Sequence, residues 1–158
     1  MAEVTIRSVE HRGAIIHPDA AVSTRAVVGA AGEWRDRPTE HPAVIGKDAI
    51  IRECVRVHAG CERETVIGRG VLLMAGSHVG HDAFVGDGTE VAPNAVIGGC
   101  CHIGPGVRIG MNASILPHVR VGANARIGAG AVVTRDVPAG ETWVGNPARR
   151  LHRWDGAS

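Results

Sequence analysis

The chain has 158 residues, 17 basic and 16 acidic side chains and a net charge of +1, so neither nucleic acid nor an anionic membrane surface is its expected partner. Hydrophobic residues make up 44% of it, yet it has three Trp, one Phe and no Tyr, which suits a narrow interior of Ile, Val and Ala in one domain. No apolar run reaches membrane-spanning length, residues 1–10 lack signal-peptide character, and adjacent Cys100 and Cys101, with Cys54 and Cys61, resemble no disulfide framework. A reducing cytoplasm is the expected location, and the absence of a CxxC pair argues against a structural zinc site.

In chain order, aliphatic residues recur at intervals of six. Ile16, Val22 and Val28 form a first set; Ile45, Ile51 and Val57 a second. From Ile67 the period runs unbroken through Leu73, Val79, Val85, Val91, Ile97, Ile103, Ile109, Ile115, Val121 and Ile127 to Val133. Gly usually follows the aliphatic residue, where it relieves crowding and permits unusual turn dihedrals, and a small or β-branched residue stands four positions after it. Both the aliphatic and the small residue point inward. A period of six fits neither a helix nor plain alternation, but it does fit a short strand plus a turn, the hexapeptide repeat of a parallel β-helix. Three units close a triangular coil of eighteen residues, and stacked coils stand roughly 4.8 Å apart. The expectation is an all-β single domain over 1–158: about six triangular coils over 14–137 and a short cap over 138–158.

Two breaks interrupt the repeat, Gly29–Val44 and Ala59–Val66. Counting units in threes places Val28, Val57, Val79, Ile97, Ile115 and Val133 on one face. Both insertions then leave at the corner after that face, one coil apart, with His81 at the same corner one coil further on. Loops on a rigid scaffold commonly carry function, so this corner is the strongest positional candidate for a site.

Four segments carry candidate chemistry. In Ile51–His58, His58 lies one coil from Gly80, next to the His81 column, and either contacts substrate or makes a structural polar contact. In Ser77–Asp82, His81 is expected at an exposed turn, with Asp82 placed to orient the imidazole of a general base; the plainer alternative is a pair of ordinary turn residues. His78 reads more simply as a groove-lining residue. In Gly98–Cys100, Gly99 sits one coil above His81, where its N–H would serve an oxyanion, although Gly is common throughout the repeat. The tail leaves the repeat at Asp136–Gly140, a turn signal, and continues through Gly145–Arg150. Val137, Trp143 and Val144 are expected to cap the core, only a short helix fits at the C-terminus, and residues after about Arg153 are expected to be loose.

These residues carry a family resemblance. The chain resembles the hexapeptide-repeat acyltransferases, which implies a left-handed β-helix. Ile51–Asp87, with VRVHAG, LLMAGSHVGHD and FVGD, is similar to the acyl carrier protein-dependent UDP-N-acetylglucosamine acyltransferases. Ile127–Arg149, with IGAGAVVTRDVPAG and VGNPAR, resembles the acetyl-CoA-dependent sugar O- and N-acetyltransferases. The resemblance implies His81 as catalytic base, Asp82 as its partner and Gly99 as oxyanion donor. It implies acceptor contacts from His58 and His78, with Trp34, Asp36 and Cys100 as further acceptor-side candidates, and donor contacts from Gly98, Arg135, Pro147 and Arg149. It also implies a homotrimer with sites between subunits, a sugar or nucleotide-sugar acceptor, and acyl-CoA or acyl carrier protein as donor, with a short acyl chain favoured and no metal. Cys100 stands where the UDP-sugar acyltransferases usually have His, and their C-terminal helical segment has no counterpart in this sequence.

Two other readings compete. A γ-class carbonic anhydrase-like zinc site would use His58 and His81, but its third histidine falls where this chain has Gly86. A non-catalytic trimeric scaffold would leave His58, His78 and His81 without a shared purpose.

Overall fold

A computed structural model describes residues 13–31 and 38–151 of the chain. The period of six becomes eighteen short strands in six coils. The first coil holds β1 (Ala14–Ile16), β2 (Ala21–Val22) and β3 (Val27–Ala30), and the second β4 (Ala43–Ile45), β5 (Ile50–Ile51) and β6 (Arg56–His58). The third holds β7 (Thr65–Ile67), β8 (Leu72–Leu73) and β9 (His78–Val79), and the fourth β10 (Phe84–Val85), β11 (Glu90–Val91) and β12 (Val96–Ile97). The fifth holds β13 (His102–Ile103), β14 (Arg108–Ile109) and β15 (Ser114–Ile115), and the sixth β16 (Arg120–Val121), β17 (Arg126–Ile127) and β18 (Val132–Val133).

Every third strand pairs in parallel, giving three sheets, and the third runs β3-β6-β9-β12-β15-β18 as the count in threes requires. From Ile45 to Val133 the aliphatic residues are buried, as are the small residues four positions on, except Cys61 in the second break. No helix occurs among the described residues, and none is long and apolar enough to cross a membrane.

Of the two jobs expected of the glycines, they do the first, relieving crowding, and not the second. Gly68, Gly80, Gly86, Gly98, Gly104, Gly110, Gly122 and Gly128 all lack positive φ. They are required because the next coil passes too close for a side chain: a Cβ at Gly86 would lie 2.6 Å from the nitrogen of Pro105. The left-handed residue comes two positions later, as at Gly70, Gly76, Asp82, Gly88, Asn94 and Cys100, where Asn and Asp substitute for Gly at low cost.

Both breaks emerge at one corner, as expected. Strand pairing narrows the first to residues 31–42, because Gly29, with φ 79°, forms a bulge that lets Ala30 pair with His58. Ile16 pairs with Ile45 and Ile45 with Ile67, so the offsets there are 29 and 22 positions instead of 18. The two loops meet each other: His41 and Gly60 exchange backbone hydrogen bonds of 3.1 and 2.8 Å.

Among the described residues the tail is strand, and any helix after Leu151 would lie outside them. β19 (Thr142–Val144) extends the second sheet parallel to β17, and β20 (Arg149–Arg150) returns antiparallel. The open edge of β17 dictates this, since Arg126 and Gly128 N–H donate to Glu141 and Trp143 carbonyls at 2.8 Å. Val137 and Trp143 are buried against the core end, with Val144 half-buried beside them. Residues after Arg153 lie outside the described residues.

Candidate active site

β9 delivers Val79 into the core and turns through Gly80 to His81 and Asp82. Asp82 takes the left-handed conformation at φ 57°, and its N–H donates to the buried Thr65 hydroxyl at 2.8 Å. The second insertion closes over its carboxylate: the N–H groups of Cys61, Glu62 and Arg63 all donate to Asp82 Oδ1 at 2.9 Å. The other oxygen, Oδ2, lies 2.6 Å from His81 Nδ1. The Asp82 side chain is 1% exposed and that of His81 14%, so this histidine is largely covered, not exposed as the turn position suggested. Burial pushes the Asp82 carboxyl upward, but the His81 hydrogen bond and the three backbone donors outweigh it and hold the group below its ordinary value.

A carboxylate at Nδ1 keeps the proton of neutral imidazole there and leaves the Nε2 lone pair available. Nε2 faces Gly99: a Cβ on Gly99 would stand 2.7 Å from it and 2.9 Å from Cε1. Gly99 N–H donates to no hydrogen bond among the described residues, whereas the neighbouring Cys100 N–H donates to the His81 carbonyl at 2.8 Å. The arrangement therefore offers an oriented base, a fixed carboxylate and a side-chain-free donor on adjacent coils. Its chemistry is removal of a proton from a nucleophile beside a centre where negative charge develops.

His58 and His78 come together as an edge-to-face pair with centroids 4.6 Å apart. His58 is buried and His78 half-buried, and the pairing of Val57 with Val79 sets His58 level with Gly80. Cys100, at φ 59°, stands one coil above Asp82. Gly98 donates to the Ile115 carbonyl at 2.9 Å, in close approach to Pro117. Cys101, deeply buried with its thiol on the Leu116 carbonyl at 3.1 Å, is pushed up to about 11 by burial and is unsuited to nucleophilic chemistry.

The donor-side candidates sit elsewhere. Arg135 lies three coils above His81 in the column His81, Gly99, Pro117, Arg135, about 14 Å away at the coil spacing. Its guanidinium sits over the Trp143 ring, 5.5 Å from the centroid. Pro147 and Arg149 are exposed on the capping hairpin, where Arg149 donates to the Ala148 carbonyl at 2.8 Å. Trp34 and Asp36 lie outside the described residues. Thr65, Gly60 and the 61–63 backbone went unremarked in the sequence; the available signal was the second break, just one coil before His81. Gly60 is required because a Cβ there would collide with the Arg63 carbonyl.

The family model described as bacterial transferase hexapeptide (six repeats) matches residues 64–99 and 100–135. The chain belongs to the hexapeptide-repeat transferases. This hexapeptide-repeat chain is 48% identical over 120 residues to the acyl-[acyl-carrier-protein]–UDP-N-acetylglucosamine O-acyltransferase of Azotobacter vinelandii, covering 74% of this chain and 46% of that protein. The structure of LpxA from Acinetobacter baumannii superposes with a TM-score of 0.84 at 31% identity, over 90% of this chain and 59% of that one. The perosamine N-acetyltransferase of Caulobacter crescentus, solved as a variant with CoA and GDP-perosamine, gives 0.71 at 25% identity, over 84% and 56%. The chain thus spans about half the length of the curated relatives it matches.

Proposed function

We propose that this protein transfers an acyl group from a thioester to a hydroxyl or amine of a sugar or nucleotide sugar, with His81 as general base. The observation that carries this is the His81–Asp82 contact of 2.6 Å, with Asp82 clamped by three backbone donors and Nε2 turned toward Gly99. In the proposed reaction Nε2 takes the acceptor's proton as its oxygen or nitrogen bonds to the thioester carbonyl carbon. The Gly99 N–H stabilises the resulting oxyanion. The C–S bond then breaks, and the proton passes from Nε2 to the leaving thiolate. No step calls for a metal. Acceptor contacts are assigned to His58, His78 and Cys100, with Trp34 and Asp36 as further candidates from the sequence alone.

The relatives support both donors: one is named for acyl carrier protein and another was solved with CoA. We favour acyl-CoA with a short chain, running from Gly98 and Gly99 up the column to Arg135 and reaching Pro147 and Arg149 with its nucleotide end. The repeat and its cap act as one domain. A homotrimer supplies the second wall of each groove, consistent with apolar residues left exposed on flat outer faces, such as Val27 and Val96 on the third sheet and Ile15 and Phe84 on the first. Four cysteines with no disulfide suit a reducing cytoplasm.

The test offers the purified chain acetyl-CoA, longer acyl-CoAs and acyl carrier protein thioesters against a panel of nucleotide sugars, reading thiol release and acceptor mass. Acceptor-dependent thiol release with a matching mass gain supports the reading. Failure of every thioester would leave the scaffold alternative. Sedimentation at micromolar concentration tests the trimer, and a monomer would remove the shared groove.

A further inference from the structure

The only group of three or more metal-ligating side chains among the described residues is Cys61, His81 and Asp82, whose ligand atoms all lie within 4.8 Å of one another. We propose that these three form a site for a soft divalent cation of the Zn²⁺ class, and that cation binding and the action of His81 as a base exclude one another. The second half rests on the transferase reading; the first does not.

The donor set is a thiol, an imidazole and a carboxylate, the combination that selects Zn²⁺ over Mg²⁺ or Ca²⁺. Bond lengths of 2.0–2.3 Å in a tetrahedron put ligand atoms about 3.3–3.8 Å apart. From the 4.8 Å that bounds the cluster, its longest separation therefore has to contract by at most about 1–1.5 Å. Three protein ligands leave a fourth position open, as in sites that keep a water. The surroundings are already ordered for it. Cys61 is tied to Asp82 through its own N–H, Glu62 and Arg63 fix the carboxylate, and Thr65 holds the Asp82 backbone. Such supporting contacts orient metal ligands. Asp82 is buried while Cys61 and His81 are partly exposed, so an ion from solution has access.

The exclusion follows from one distance. His81 Nδ1 and Asp82 Oδ2 stand 2.6 Å apart, closer than two ligands of one tetrahedral ion. If the ion takes Nδ1, the dyad contact must open; if it takes Nε2, it occupies the lone pair that accepts the proton. Either way the base is lost. This is not the γ-carbonic anhydrase arrangement, because Cys61 belongs to the second insertion and Gly86 occupies the third-histidine position.

Titration of the whole protein with Co²⁺ tests the site without reference to activity. Wild type is expected to develop a near-ultraviolet thiolate-to-cobalt band and the visible bands of a four-coordinate ion, both displaced by Zn²⁺. Cys61→Ser, which keeps the backbone N–H on Asp82, should lose the band and bind on the order of 100-fold more weakly, while Cys54→Ser behaves as wild type. No sulfur band in wild type, or an unchanged band in Cys61→Ser, overturns the site. In the transfer assay Zn²⁺ should abolish turnover by wild type, and Cys61→Ser should turn over and escape inhibition. Full turnover by zinc-loaded wild type overturns the exclusion. A cobalt band in a protein that acylates nothing refutes the transferase reading and leaves the cation site standing.

Discussion

The lower three coils and the upper three are built from the same repeat and do different things. Between β10 and β18 every pairing steps by eighteen: Phe84 with His102 and Arg120, Glu90 with Arg108 and Arg126, Val96 with Ser114 and Val132. Turn positions there exchange Gly and Asn freely, as in Gly88, Gly106 and Asn124. Below β10, two loops break the step and bond to each other and back onto the repeat, and beside them sit the buried polar side chains His58, Thr65 and Asp82. The uniform stack is a regular ruler whose interior is apolar apart from Thr89, which donates to the Gly104 carbonyl. The proposed chemistry lies where inserted chain supplies spare backbone N–H groups to a turn carboxylate. The same fold thus separates stability from function along its axis.

The sharpest way to break that separation is to delete the base. His81→Ala should lower acyl transfer by about 10²–10⁴-fold, and the melting temperature should fall as well, because the buried Asp82 Oδ2 loses its 2.6 Å partner. Arg126→Ala, exposed on the second sheet above, should change neither. Parallel kcat and thermal-melt measurements check both; near-full kcat in His81→Ala would reject its role.

Next come two glycines that look alike in sequence. Gly99→Ala places a methyl 2.7 Å from His81 Nε2, so the ring must move, and kcat should fall by about 10²-fold or more. At Gly88, with φ 64°, a Cβ meets nothing within 4 Å, so Gly88→Ala pays only backbone strain of roughly 1–2 kcal/mol and transfer persists. Equal losses of activity in the two variants would mean that the stack, not the corner, sets the rate.

How much of this was legible in the sequence depended on whether a feature repeats. The period placed each aliphatic residue in its sheet and brought both breaks to the His81 corner, because parallel pairing leaves one register for an eighteen-residue coil. For the glycines after those residues the expected relief of crowding holds and the expected unusual dihedrals do not. Close approach between coils and left-handed turns both favour Gly, and only coordinates tell Gly86, which lacks a positive φ, from Gly88, which has one. In the sequence the tail reads as a cap, but not as strand, because the free edge of β17, which recruits Thr142–Val144, is a tertiary feature. The Asp82 clamp was illegible for a related reason. Its donors are backbone N–H groups of Cys61, Glu62 and Arg63, which any residue but Pro supplies.

A smaller effect distinguishes the clamp from the His81 contact. Asp82 is held below its ordinary pKa, so its charged form stabilises the fold. That contribution is complete above the unfolded value of about 3.9 and disappears as pH falls through the lower folded value. Asp82→Asn removes it. Wild type should therefore exceed Asp82→Asn in urea stability at pH 7, and the gap should close as pH drops below about 4. An unchanging gap would assign the difference to packing.

The smallest expected effect lies at the far end of the column and bears on the donor. The Arg149 side chain is exposed and its guanidinium donates to the neighbouring Ala148 carbonyl, so Arg149→Ala should alter stability by no more than about 0.5 kcal/mol. If its charge meets phosphates of CoA, the variant should raise KM for acyl-CoA by about three- to tenfold at unchanged kcat, because the contact is the same in ground and transition states. The difference should shrink as salt is added, since exposed charges are screened. Arg135 provides the contrast. Its guanidinium is already engaged over Trp143, so Arg135→Ala should also loosen the cap by about 0.5–1 kcal/mol, visible as a lower melting temperature without substrate. A protein that uses carrier-linked acyl groups would show no Arg149 effect on KM at any salt concentration. The capping hairpin would then only close the core, and donor recognition would have to lie lower on the column, nearer Gly99.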